Sequence, residues 1–182
     1  MADASSRLVP LLAQLDTSLA MALDRMQGLS DDEFWWAPAP DATTVAPDRR
    51  GHLRPVRPLD KEPRTRTIAW LIGHLGEMAL LRADYTDGEH RLTPDDIGWP
   101  GTAQEGLAFV RDGWARWRAA LEGLPDHELD VVGRSDFPWG LDRELPILDI
   151  VWWMNRELIH HTAEVAFVRD LYTTKATRNQ SQ

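Results

Sequence analysis

Trp152-Trp-Met-Asn-Arg-Glu-Leu-Ile-His-His-Thr-Ala-Glu164 is the stretch on which the reading of this chain turns. Its apolar residues recur with the 3.6-residue period of an α-helix, so it is predicted to be helical rather than extended. Glu157 and His161 stand four residues apart and project from one face of that helix, flanked by Trp153 and Glu164. Apolar neighbours surround that face and direct a carboxylate and an imidazole toward a bundle interior. An unpaired charge is costly there, and a bound cation compensates it.

Outward from this stretch, the helix is predicted to begin at Leu145, with Pro146 in its first turn, and to end near Tyr172. Three further segments carry the same period. The first runs from about Ser5 to Gly28, the second from Thr65 to Asp87, and the third from Thr102 to Gly123 with Trp114 and Trp117 at core spacing. Pro- and Gly-rich stretches fall between these segments rather than inside them. Ser30 and Glu33 have the spacing of a capping box and open a short turn over Asp31 to Trp36. The Trp35-Trp36 pair suits a lid or an interface patch.

No segment alternates polar and apolar residues over strand length, so the expected fold is all-α, a four-helix bundle with long inter-helix loops. Residues 37–64 are expected to be a loop, of a length that is often functional or mobile. A second loop, containing Asp136-Phe-Pro-Trp-Gly140, leads into the fourth helix. The polar residues 173–182 lack periodicity and read as a frayed tail, leaving 1–172 as a single domain.

A chain of 182 residues is long enough to bury its own core. No run approaches the ~18 consecutive apolar residues of a membrane span. The start, MADASSRLVP, lacks a basic stretch followed by an apolar run, so the expected location is cytoplasmic. Acidic residues outnumber basic ones by 29 to 20, and a net charge of −9 repels a phosphate backbone. The one dense basic stretch, Arg49 to Arg66, is interleaved with Pro55, Pro58, Pro63, Asp60 and Glu62 and reads as a loop, not a nucleic-acid arm. The chain has no cysteine, which excludes disulfides, thiolate ligands and a protein thiol nucleophile. Any sulfur chemistry must use a thiol from outside.

A third ligand has to come from another helix, and His74 is the best placed by its apolar neighbours. Gly73 and Gly76 beside it allow close approach of another backbone. Two imidazoles and one carboxylate suit Zn²⁺, with Ni²⁺ or Fe²⁺ also compatible, and three protein ligands leave coordination positions open. The spacing alone equally fits a plain surface pair of Glu157 and His161. It also contains Glu157-x-x-His160, the ligand unit of di-iron bundles, which require a second such unit. Trp70 and Trp153 each precede a proposed ligand by four residues and are candidates to line the same cavity.

At Thr67-Ile-Ala-Trp-Leu-Ile-Gly-His-Leu-Gly-Glu77 and at Asn155-Arg-Glu-Leu-Ile-His-His-Thr-Ala-Glu-Val-Ala-Phe-Val-Arg-Asp-Leu-Tyr172, the chain resembles the DinB-like superfamily. Its members include bacillithiol and mycothiol S-transferases and the metal-binding domain of mycothiol-dependent maleylpyruvate isomerase. Many members place histidine at both ends of the fourth-helix pair. Here Glu157 takes the first position, as in the isomerase branch. The resemblance implies His74, Glu157 and His161 as ligands of one divalent ion, which would activate a low-molecular-weight, mycothiol-like thiol for attack on a small electrophile. Trp70, Trp153, Asn155 and Arg156 are then the expected substrate-binding surroundings. Two other classes fit the same residues: a metal-dependent hydrolase with Glu77 or Glu164 as general base, and a non-catalytic binding bundle that pairs as a homodimer through an apolar helix face. An acidic chain without nuclease or glycosylase motifs gives no support to DNA repair.

Overall fold

The computed structural model describes residues 7–56, 65–134 and 144–180. Helix α1 spans Leu8–Met26, α2 spans Asp31–Trp35, α3 spans Ile68–Asp87, α4 spans Ala103–Glu122 and α5 spans Ile147–Gln180. Strands β1 (Thr44–Pro47) and β2 (Leu53–Val56) form one antiparallel hairpin. The four long helices close a ring in which α1 packs on α5, α5 on α3, α3 on α4 and α4 on α1. This is the all-α, four-helix bundle expected from the periodicity. No helix among the described residues is long and apolar enough to cross a membrane.

Each long helix contributes a buried stripe at helical spacing. Leu8, Leu12, Leu15, Ala22 and Met26 come from α1, and Val110, Trp114, Trp117 and Leu121 from α4. The Trp114 indole donates to the Leu75 carbonyl at 3.1 Å, which joins α4 to the middle of α3. Gly28, at φ +66°, takes the left-handed conformation that turns the chain after α1 at little steric cost. The capping box at Ser30 and Glu33 is formed. Trp35 donates to the Gly101 carbonyl at 3.2 Å, and Trp36 packs edge-on against Tyr172 at 5.6 Å, so both anchor α2 within the fold.

The segment read as loop from 37 to 64 contains the β1–β2 hairpin. Each strand is only four residues long and β2 carries Pro55, so neither shows the alternation that announces a strand. Residues 57–64, the stretch Asp136–Gly140 expected to be loop, and Ser5 lie outside the described residues. The second predicted helix starts later than Thr65, at Ile68, because Thr65 and Thr67 pair through their backbones with Thr43. Thr67 then caps α3 by accepting from the Trp70 N–H.

The largest departure is α5, which continues to Gln180 rather than ending near Tyr172. Polarity suggested fraying over 173–182, but no glycine or proline interrupts this stretch. Thr173 and Thr174 turn their hydroxyls onto the carbonyls of Arg169 and Asp170, four residues back, so both hydroxyls find acceptors within the helix itself. At the other end, Pro146 stands one residue before α5, bridged to Val132.

Candidate metal centre

On α5 the residues Met154, Leu158, His161, Val165 and Val168 are all buried and follow one another at intervals of four and three. His161 therefore occupies a core position of the bundle, where an apolar residue is usual. Glu157 and Glu164 lie to either side of it at partly buried positions, and His160 is exposed. His74 comes from the facing side of α3, with its ring perpendicular to that of His161 and the centroids 4.8 Å apart.

One ligand atom from each of His74, Glu157 and His161 lies within 4.8 Å of the others. Within it, His161 Nε2 and Glu157 Oε2 are 3.3 Å apart. Ligands about 2.1 Å from a tetrahedral ion stand roughly 3.4 Å apart, so small rotamer adjustments are enough for these donors to enclose one. The opposite ring nitrogen, His161 Nδ1, is bonded to Glu164 Oε2 at 2.6 Å. A carboxylate on the far nitrogen is the usual support for a metal-bound imidazole, because it sets the tautomer and raises the basicity of the other nitrogen.

The electrostatics fit a cation. A hydrogen bond from His161 is the main cause that draws the Glu157 carboxyl down to about 2, helped by Arg156, whose Nη2 donates to Oε1 at 2.8 Å. Burial pulls the His161 pKa downward, but its bonds to Glu157 and Glu164 outweigh burial and raise it above the ordinary 6.5. Burial likewise pushes Glu164 up, and the bond from His161 with the charge of Arg66 reverses this. The buried imidazole thus sits between two ionised carboxylates. A proton on the ring would balance them in the absence of an ion, and a cation held at Nε2 would do so in its place.

Aromatic side chains wall the site. Trp70 stacks on His74 at 5.0 Å with 15° between the planes, and Trp99 meets Trp70 edge-on at 6.4 Å. Trp99 rests against Gly73, where an added Cβ would overlap its ring, and its indole donates to Glu77 Oε2 at 2.5 Å. The glycine beside His74 thus admits a ring, not the neighbouring backbone the sequence suggested. Gly76 admits the Phe109 ring and also the close backbone approach expected of it, since its carbonyl oxygen would stand 3.1 Å from a Cβ added at Gly113 on α4.

Of the residues expected around the site, Trp70 is in place. Trp153 lies one turn before Glu157, packed beneath the guanidinium groups of Arg82 at 5.6 Å and Arg156 at 6.0 Å. Arg156 is exposed and reaches the site only through Glu157. Asn155 does not line the cavity. It is fully buried and donates to the Leu11 carbonyl at 2.9 Å and to Gln14 at 3.0 Å, facing α1. Two positions before Glu157 amount to about 200° of helix rotation, which carries Asn155 to the opposite side.

Two contributors escaped the sequence reading. Trp99 lies in a loop without periodicity, and only the unfilled space beside Gly73 hinted that a large side chain belongs there. Arg66 ends the basic stretch that reads as a loop, and it donates to Glu164 Oε1 at 2.7 Å. A second cluster, His160, His161 and Glu164, also brings its donors within 4.8 Å of one another. Its Glu164 is already held by Arg66 and His161, so it is a poorer place for a second cation.

The fold and these donors define a class: a helical bundle with a histidine–glutamate–histidine cluster between two of its helices. The chain belongs to the DinB superfamily, whose family model matches residues 14–165. That span includes all three residues of the cluster. No curated protein and no solved structure gives a significant match.

Proposed function

We propose that His74, Glu157 and His161 bind one divalent metal ion, Zn²⁺ foremost, and that the protein is a transferase or isomerase acting on a small electrophile with a low-molecular-weight thiol as cosubstrate. The observation that carries this reading is the convergence of three donors from α3 and α5, with the far nitrogen of His161 already occupied by Glu164. Ni²⁺ and Fe²⁺ suit the same donor set. A bound divalent ion supplies Lewis acidity, which lowers the pKa of a thiol that reaches an open coordination position.

The chain's own residues prepare that position. Glu164 fixes the His161 ring, Glu157 is kept ionised at neutral pH, and Trp70 covers one face of His74 against water. With no cysteine in the chain, the sulfur has to arrive on a small molecule. The carboxylates considered for a hydrolase are otherwise engaged: Glu77 accepts from Trp99, and Glu164 serves both His161 and Arg66. The thiol reading uses neither as a base toward substrate.

Elemental analysis of purified protein beside H74A and H161A tests the metal. The expectation is about one ion per wild-type chain and loss in both variants. Wild-type protein that retains no metal, and takes up none when supplied, overturns the proposal. Turnover of model electrophiles by metal-loaded protein with mycothiol or bacillithiol tests the reaction, and turnover without any thiol overturns that part.

A further inference from the structure

The segment that precedes α3 reaches both histidines of the cluster through one side chain. Arg66 Nη1 donates to Glu164 Oε1 at 2.7 Å, and the other oxygen of that carboxylate holds His161 Nδ1 at 2.6 Å. The same guanidinium lies over the Trp70 ring, 5.0 Å from its centroid, and Trp70 is stacked on His74 at 5.0 Å. One arginine thus bears on His161 by a charged hydrogen-bond chain and on His74 by a stack of planar groups.

The backbone at Arg66 is tied on both sides. Thr43 donates its N–H to the Thr65 carbonyl at 2.8 Å, and Thr67 donates to the Thr43 carbonyl at 3.0 Å, so Thr43 and Arg66 form a parallel bridge. Thr43 stands immediately before β1, and Thr67 is the cap of α3. With both neighbouring residues tied, the backbone at Arg66 is already ordered, and only the rotamer freedom of its side chain remains to be lost. Its side chain is about one-third exposed, as is that of Glu164, so the pair is partly shielded from solvent. Its two-armed contact with both histidines of the cluster points to a role in holding them.

We propose that Arg66 is a positioning residue of the metal centre, orienting His161 through Glu164 and His74 through Trp70. The proposal rests on the metal reading above and extends it: the hairpin segment between α2 and α3 delivers the group that holds the ligand set in register. Supporting side chains of this kind change metal affinity by about 10- to 100-fold when removed.

The test uses Co²⁺ as a spectroscopic probe of the full-length protein. Affinity and visible absorption are compared among the wild type, R66A, R66K and E164Q, with R118A as control, whose ion pair with Asp16 lies away from the cluster. The expected result is a loss of about 10- to 100-fold in Co²⁺ affinity for R66A with an altered absorption envelope. R66K, which keeps a cation for Glu164 but lacks the planar group over Trp70, falls between R66A and wild type. The R66A/E164Q double variant loses less than the two single losses combined, because the arm through Glu164 is removed by either. Thermal melting followed by circular dichroism remains near wild type for R66A. Wild-type Co²⁺ affinity and spectrum in R66A overturn the proposal, as does an equal loss in R118A. If the wild type itself binds neither Co²⁺ nor Zn²⁺, the metal reading fails first and takes this inference with it.

Discussion

Glu164 holds the Nδ1 of His161 at 2.6 Å and so decides which imidazole nitrogen faces Glu157 and His74. Because Nε2 sits 3.3 Å from Glu157, the same ring is ready either to share a proton between two carboxylates or to give a lone pair to a cation. Its bonds to Glu157 and Glu164 raise the His161 pKa above 6.5 despite burial, which favours the first course when no ion is bound. An imidazolium has no lone pair on Nε2, so ion binding has to displace that proton. Affinity for Zn²⁺ or Co²⁺ is therefore expected to be full above the raised pKa and to fall as pH drops through it. Calorimetric titration in two buffers of different ionisation enthalpy measures the released proton; affinity that stays constant from about pH 5 to 8 contradicts this arrangement.

Glu33 and Arg169 make the acid sensitivity of the fold local. Arg169 Nε donates to Glu33 Oε1 at 3.1 Å and its Nη1 donates to the Gln27 carbonyl at 3.0 Å, tying α5 to the end of α1 and the start of α2. Burial alone pushes the Glu33 carboxyl upward, but the Ser30 N–H and Arg169 overcome it, and the folded pKa lies below 4.5. The unfolded chain binds that proton more readily. The contribution to stability is thus complete above the ordinary carboxylate value and is lost as pH falls through the depressed one. E33Q is expected to lower stability at pH 7 by about 1.5–3 kcal/mol and to flatten the acid limb of a Tm-against-pH curve. An acid limb as steep as wild type speaks against this assignment.

Gly73 is required by Trp99. A methyl group there overlaps the indole, whereas one at Gly98 meets nothing within 4 Å. G73A is expected to cost about 1–3 kcal/mol, as overpacking does, and to weaken metal binding by displacing the wall beside His74. G98A serves as its control in denaturant titrations. Equal stability of the two variants removes Trp99 from the account.

Asn155 separates structural from functional polarity on α5. Its amide donates to the Leu11 carbonyl and to Gln14, so N155A is expected to lose about 1–3 kcal/mol of stability while Zn²⁺ affinity stays at the wild-type value. H161A is expected to show the opposite pattern, a folded bundle without the ion. A large loss of Zn²⁺ affinity in N155A restores that residue to the site.

The helices were legible because each must bury one stripe, and a stripe of period 3.6 is written directly in the order of residues. Trp114 and Trp117 were placed in the core on that ground, and so was the Glu157–His161 face. The hairpin was not legible, since its short strands, one of them carrying Pro55, are defined by their partner and not by their own pattern. The full length of α5 is not legible for a related reason: polar composition near a terminus suggests fraying, while a stretch without glycine or proline continues as helix to Gln180.

For the cluster itself, the sequence determined the pair, because residues four apart on a helix share a face whatever the rest of the chain does. It suggested His74 and named Trp70. Only the tertiary structure decided that His74 meets His161 across two helices, that Asn155 turns away to α1, and that Trp99 and Arg66 complete the surroundings. Contacts within one helix are fixed by its period. Contacts between a helix and a distant loop depend on how the bundle closes, and no local spacing encodes that.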